Sequence, residues 1–144
     1  MRTRLRFVAA AALIITGLTA VPAQAETSTF FHNQKTGLYM DDNFQDGLRA
    51  FPFNGGVYQK WDPRGWADNT WQLKNRATGR CIDDSIEYGL RAYPCNKSKY
   101  QSWYWRIWGD GTYEFKNQQT GRCIDNFGGL TALRCTASET QSWL

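Results

Sequence analysis

The sequence predicts an all-β fold of short strands, written three times over, and three observations carry that expectation. Thr36-Gly37, Thr78-Gly79 and Thr120-Gly121 recur every 42 residues. Gln59-x-Trp61, Gln101-x-Trp103 and Gln141-x-Trp143 follow at 42 and then 40, copy three having lost two residues between Asp125 and Leu130. Between turn signals, apolar residues alternate with polar ones, and no segment carries a helical stripe of useful length. A period near 40 residues marks repeated supersecondary units.

Residues 1–25 stand apart from this repeat. "MRTRLRF" supplies Arg2, Arg4 and Arg6, "VAAAALIITGLTAV" is a short apolar run, and "PAQA" ends in small residues. That is the layout of a secretory signal peptide cleaved after Ala25. The run falls short of the roughly 20 residues needed to span a bilayer, so a secreted, extracellular protein without membrane insertion is expected. The whole chain carries 17 Lys plus Arg against 13 Asp plus Glu. Losing three Arg with the leader leaves 14 against 13, a net charge of +1. No basic stripe then remains to recruit nucleic acid. The expected domain is residues 26–144, in repeats of about 28–68, 69–110 and 111–144.

Each copy reads as about four strands. Phe31, Leu73 and Phe115 lie two residues before Asn33, Asn75 and Asn117, a period-2 opening strand. "NQKTG", "NRATG" and "NQQTG" are turn chemistry, with Asn to start and Gly free to take a positive φ. "YMD", "CID" and "CID" are short strands ending in a carboxylate, followed by a polar loop with Gly. "LRAF", "LRAY" and "LTAL" alternate again, placing Leu48 and Ala50 on one face and Arg49 and Phe51 on the other. A closing strand follows each Gln. Gln59, Gln101 and Gln141, with Trp61, Trp103 and Trp143, read as structural: the ring fills a core and the amide satisfies nearby backbone.

All four Cys lie in copies two and three. The positions of Cys81 and Cys95, and of Cys123 and Cys135, are held in copy one by Tyr39 and Phe53, so both members of the pair are lost together. A bridge within each copy explains that joint loss and cross-copy bridges do not. A zinc site has little support, with no C-x₂₋₄-C pair and only His32 to help; no metal and no cofactor are expected.

Three evenly spaced Q-x-W motifs together with three T-G-x-x-[IM]-D motifs resemble the ricin-B-type lectin family. The resemblance covers residues 26–144 and implies a β-trefoil. Within that family, copy one is similar to the mannose-recognising actinohivin group of actinomycete lectins, without a gap from Asn33 to Trp61. The resemblance implies one shallow sugar pocket per copy, built from the Asp after the second strand, side chains of the next strand, and groups before Q-x-W. Carried over by position, copy one offers Asp41, Arg49, Phe51, Asn54 and Tyr58, and copy two offers Asp83, Arg91, Tyr93, Asn96 and Tyr100. A carboxylate can accept from adjacent hydroxyls, an amide can donate and accept, and an aromatic face can cover the C–H side of a pyranose. The competing reading pairs Asp41 with Arg49 and Asp83 with Arg91 as ordinary surface ion pairs.

In copy three Asp125 remains, but its partners become Thr131, Leu133, Thr136 and Thr140, so a degenerate third site is expected. The mannose group has Tyr and Leu where Arg49 and Phe51, and Arg91 and Tyr93, stand here. A guanidinium grips carboxylate or phosphate bidentately, so acidic glycans join mannose-type ones as expected partners. Asp41-Asp42 and Asp83-Asp84 suggest a hydrolytic carboxylate pair, but adjacent strand residues face opposite ways. The expectation is therefore a non-catalytic, monomeric lectin with two competent sites acting by avidity. The alternative is a secreted β-trefoil that binds protein, such as a protease inhibitor or receptor-binding factor, through the Trp-rich "WYWRIW" with Trp105 and Trp108.

Overall fold

The computed structural model describes residues 27–144 together with Gly17; apart from Gly17, the expected leader lies outside the described residues. Copy one contributes β1 (Tyr39–Asn43), β2 (Gly47–Phe51) and β3 (Trp61–Gly65). Copy two contributes β4 (Thr70–Asn75), β5 (Arg80–Ser85), β6 (Gly89–Pro94) and β7 (Trp103–Ile107). Copy three contributes β8 (Tyr113–Asn117), β9 (Arg122–Asp125) and β10 (Thr131–Arg134). The opening of copy one and the closing of copy three form isolated bridges instead of the two further strands expected. Asn33 pairs with Trp143 and His32 with Tyr39.

β1–β2, β5–β6 and β9–β10 are antiparallel hairpins within copies. β3–β4 and β7–β8 join one copy to the next, with Trp61 opposite Asn75 and Trp103 opposite Asn117. The Asn33–Trp143 bridge makes the same contact from copy three back to copy one. Within copies, Thr29–Trp61, Trp71–Trp103 and Tyr113–Trp143 repeat a second contact three times. The result is a ring of three like units, the β-trefoil.

Its core is three sets of three. Phe31, Leu73 and Phe115, then Met40, Ile82 and Ile124, then Trp61, Trp103 and Trp143 are all buried and in one cluster. Each indole N–H donates to a carbonyl of the hairpin it covers, Met40, Ile82 or Ile124, at 3.0, 3.0 and 3.1 Å. A buried Trp thus brings its large apolar area without an orphaned donor. The Q-x-W glutamines are equally occupied: the Gln59, Gln101 and Gln141 carbonyls accept from the Asn54, Asn96 and Thr136 N–H groups, and their amides donate to the Pro52, Pro94 and Arg134 carbonyls.

The turn asparagines tie neighbouring copies. Asn75 Oδ1 accepts from the Ala77 and Thr78 N–H groups while its Nδ2 donates to the Tyr58 carbonyl at 2.7 Å. Asn117 does the same toward Tyr100, and Asn33 toward Thr140. The chain reverses at Gly37, Gly79 and Gly121 with φ of 70°, 68° and 71°, a region costly for any residue with a Cβ.

The disulfides are Cys81–Cys95 and Cys123–Cys135, each with Cα atoms 5.1 Å apart. Where they stand, copy one packs the Tyr39 ring against Phe53.

A second set of links joins copies around the ring. The fully buried Asp42 carboxylate accepts from the Thr78 hydroxyl and from Arg80, which also reaches the Asn43 carbonyl at 2.9 Å. Asp84 accepts likewise from Thr120 and Arg122. At the third joint Asn126 replaces the Asp and Leu38 the Arg, and a neutral bond from Asn126 Nδ2 to Thr36 Oγ1 remains, 2.7 Å long. Charge is lost from both sides of that joint together, which leaves no buried ion unpaired.

Candidate functional site

The β1–β2 and β5–β6 hairpins set Asp41 directly opposite Arg49 and Asp83 directly opposite Arg91. Both Asp side chains are buried, 2% and 4% exposed, and each accepts from the arginine Nε, at 3.0 and 3.2 Å. The guanidinium carbons lie 3.8 Å from the Phe51 ring centre and 3.9 Å from that of Tyr93. Arg and aromatic, two apart on one strand, therefore stack as strand alternation expects. In copy two the ion-pair reading and the pocket reading involve the same atoms, because the Asp83–Arg91 pair lines a cleft.

Asn54 and Asn96 behave differently from expectation. Their Oδ1 atoms accept from the Gly56 and Ser98 N–H groups at 2.8 and 3.0 Å, folding the loop into the 3-10 turns Val57–Gln59 and Lys99–Gln101. The acceptor is used by the loop, and only the Nδ2 donors remain for a ligand. Tyr58 and Tyr100, inside those turns, are exposed.

Copy two shows how these parts combine. A cleft of about 350 Å³ is lined by Asp83, Arg91, Asn96 and Tyr100, together with Ser85, Ile86, Glu87 and Tyr88. Tyr93 does not line it; Tyr93 supports the guanidinium. Tyr88 is the residue that sequence reasoning missed. Its ring centre lies 4.5 Å from the Arg91 guanidinium carbon, and the hairpin turn is held by its N–H donating to Ser85 Oγ. The repeat did not mark it, since Asp46 holds the same position in copy one.

Copy one uses the same turn for charge. Asp46, at the position of Tyr88, pairs with Arg49 Nη1 at 2.9 Å, and Asn43 Oδ1 accepts from the Gln45 and Asp46 N–H groups. Arg49 is thus balanced by two carboxylates. Among the described residues Arg91 bonds Asp83 through Nε alone, and its terminal nitrogens meet no acceptor. The carboxylates differ in the opposite sense. Asp83 Oδ2 accepts from Gln101, whereas Asp41 Oδ2 receives no hydrogen bond from the described residues, since Gln59 bonds only backbone.

In copy three Thr131 lies opposite Asp125, so the arginine is absent. Asp125 Oδ2 accepts from Gln141 at 2.8 Å, while its buried Oδ1 has no partner among the described residues. Leu133 and Thr136 are exposed around it and offer no aromatic plate. The adjacent carboxylates do not form a hydrolytic pair, because Asp42 and Asp84 are locked to the neighbouring copy. His32 stacks on Tyr39, ring centres 5.0 Å apart, away from either arginine pair. Among the described residues, no group of three His, Cys, Asp or Glu could hold a metal ion.

The family model for ricin-type β-trefoil lectin domain-like proteins matches residues 57–134, more than half of the chain. No curated protein matches the sequence. The designed three-fold symmetric protein ThreeFoil superposes with a TM-score of 0.73 at 19% identity, over 81% of this chain and 95% of its own. SeviL bound to asialo-GM1 saccharide superposes with a TM-score of 0.71 at 14% identity, over 83% of this chain and 96% of its own. An exo-β-1,3-galactanase from Clostridium thermocellum gives 0.74 at 21% identity, over 83% of this chain but only 30% of its own. At such identities the likeness is one of fold.

Proposed function

Because the chain belongs to the ricin-type β-trefoil lectin-like family, we propose that it is a secreted, non-catalytic lectin with two competent glycan sites. The observation that carries this reading is the duplicated cluster of buried Asp, cross-strand Arg and stacked aromatic in copies one and two. Secretion is supported by the leader pattern and by the two disulfides, which persist in oxidising compartments.

The two sites suit different sugars. In copy one the neutralised Arg49 and the free Asp41 Oδ2 favour a neutral, mannose-type residue whose hydroxyl donates to the carboxylate. In copy two the unspent nitrogens of Arg91, with Tyr88 and Tyr100 as plates, favour a residue bearing an acidic group. Single shallow sites are weak, and linking two on one rigid monomer raises the apparent affinity for a polymer.

A glycan array followed by calorimetry tests this. Saccharide-competed binding, about two sites per chain, and losses from Asp41→Ala and Asp83→Ala that are larger on a polymer than on a monosaccharide are expected. Protease inhibition with a silent array would replace this reading with the protein-binding one.

A further inference from the structure

A different face carries features that the hairpin sites do not use. On the outer side of β7–β8, Glu114 is 6% exposed and lies directly opposite Arg106 across the strands. Among the described residues, Glu114 makes neither a hydrogen bond nor an ion pair. A glutamate this buried ordinarily has a protein partner, whereas the Glu114 carboxylate oxygens meet solvent instead. Here it lines a cleft of about 530 Å³ with Tyr104, Arg106, Trp108, Lys116 and Thr136.

The two cations are also uncommitted. Arg106 lies flat on Trp108, its guanidinium carbon 3.8 Å from the ring centre, and among the described residues neither Arg106 nor Lys116 pairs with a carboxylate. Stacking fixes the plane of the guanidinium while leaving its N–H edge free. Tyr104 adds an exposed ring on the same side of β7.

The equivalent face on β3–β4 provides a contrast. Arg64 again stacks on a ring, Trp66, at 4.7 Å, and Lys74 takes the place of Lys116. Yet Gln72 replaces the carboxylate, and Asp62, where Tyr104 would be, is held by Arg76. The shared frame is common to two joints; the buried acid and the open ring belong to one.

We infer that the β7–β8 face is a second kind of ligand site, which takes a pyranose carrying an anionic substituent. Arg106 and Lys116 grip the carboxylate or sulfate, Glu114 accepts from a ring hydroxyl, and Tyr104 covers the C–H face. A plain anion satisfies the cations but not Glu114, and a neutral sugar does the reverse, so both together define the ligand.

The test is a two-dimensional NMR titration of the full mature chain with an oligogalacturonide, a sulfated oligosaccharide, a neutral oligosaccharide and inorganic sulfate. The Trp108 indole signal reports this face, and the tyrosines at 58 and 100 report the hairpin sites separately. Movement of the Trp108 signal with the uronide, the sulfated sugar or both supports the site and identifies the anion. Affinity should fall at least about tenfold in Arg106→Gln and in the near-isosteric Glu114→Gln, corresponding to 1.4 kcal/mol or more. No movement with either acidic sugar, movement with the neutral sugar alone, or equal binding of inorganic sulfate would overturn it. Hairpin binding that persists in those cases leaves the lectin reading standing, so the two can fail separately.

Discussion

Tyr39 and Phe53 pack ring against ring, centroids 4.7 Å apart, at the positions where the other two copies carry disulfides. Phe30 meets Phe53 edge-on at 5.5 Å and His32 stacks on Tyr39, so copy one holds its hairpin by an aromatic cluster instead of a covalent bond. The three-fold frame carries the disulfide geometry to this position. Tyr39→Cys with Phe53→Cys should therefore close a third bridge, seen as a 2 Da loss under non-reducing mass spectrometry. A bridge over so short a loop is worth about 3 kcal/mol, partly offset by the lost aromatic pairing of about 1 kcal/mol. The oxidised variant should melt above its reduced form, and free thiols after oxidative refolding would refute the equivalence.

Gly55, Lys97 and Ala137 hold the same place in the three copies with φ of 67°, 58° and 54°. Only the first is free of a Cβ penalty. Ala137→Gly should stabilise by about 0.5–1 kcal/mol, the left-handed strain exceeding the added unfolded-chain entropy. Denaturant unfolding measures it, and a lower midpoint would count against the strain.

The buried ionic joints should be unequal to the neutral one. Asp84→Ala leaves Arg122 and Thr120 without their acceptor and should cost about 3 kcal/mol. Asn126→Ala removes one neutral bond and should cost about 1 kcal/mol. Equal losses in chemical denaturation would mean that the ionic joints add nothing beyond hydrogen bonding.

Acid should loosen the inter-copy turns. Asp68 is held below its ordinary value of 3.8 first by the Thr70 hydroxyl and then by the Gln118 amide. Asp110 is lowered from the same value by the Thr112 hydroxyl and then its N–H. Both folded values are depressed, so their contribution is complete above 3.8 and is lost as pH falls below it through the folded pKa. Thr70→Val with Thr112→Val should flatten that part of the melting-temperature profile. An unchanged slope would remove these two carboxylates as its cause.

The arginines should separate in salt. Arg91→Gln should remove most of the ionic-strength dependence of acidic-glycan binding at the hairpin sites, whereas Arg49→Gln, already balanced by Asp41 and Asp46, should change it little. The hairpin-site signals of the NMR titration provide the readout, and equal effects would contradict the assigned difference.

The repeat made the fold legible. Q-x-W and T-G spacing placed the core rings, the hairpins and the disulfides, because each depends on residues whose identity recurs in register. The site was legible on the strands, where alternation puts Arg49 beside Phe51 and Arg91 beside Tyr93, but not in the loops. Tyr88 and Asp46 occupy one position with different chemistry, so no recurrence marked them. The Asn54 and Asn96 carbonyl oxygens looked available because a side chain's bond to its own loop leaves no periodic trace. Glu114 was illegible for another reason: its position alternates with the core residue Phe115, and alternation alone gives no sign that it is buried.

Asp41 and Asp42 are neighbours in the chain and back to back in space, as are Asp83 and Asp84. The first of each pair faces a candidate pocket, while the second is bolted to the next unit. A pocket cannot shift without dragging the joint that fixes its neighbour. On the proposed two-site reading the molecule would act as a caliper: its jaws would be set at one width by buried ions, and a polymer would be selected by the interval at which its residues recur as well as by which residues they are.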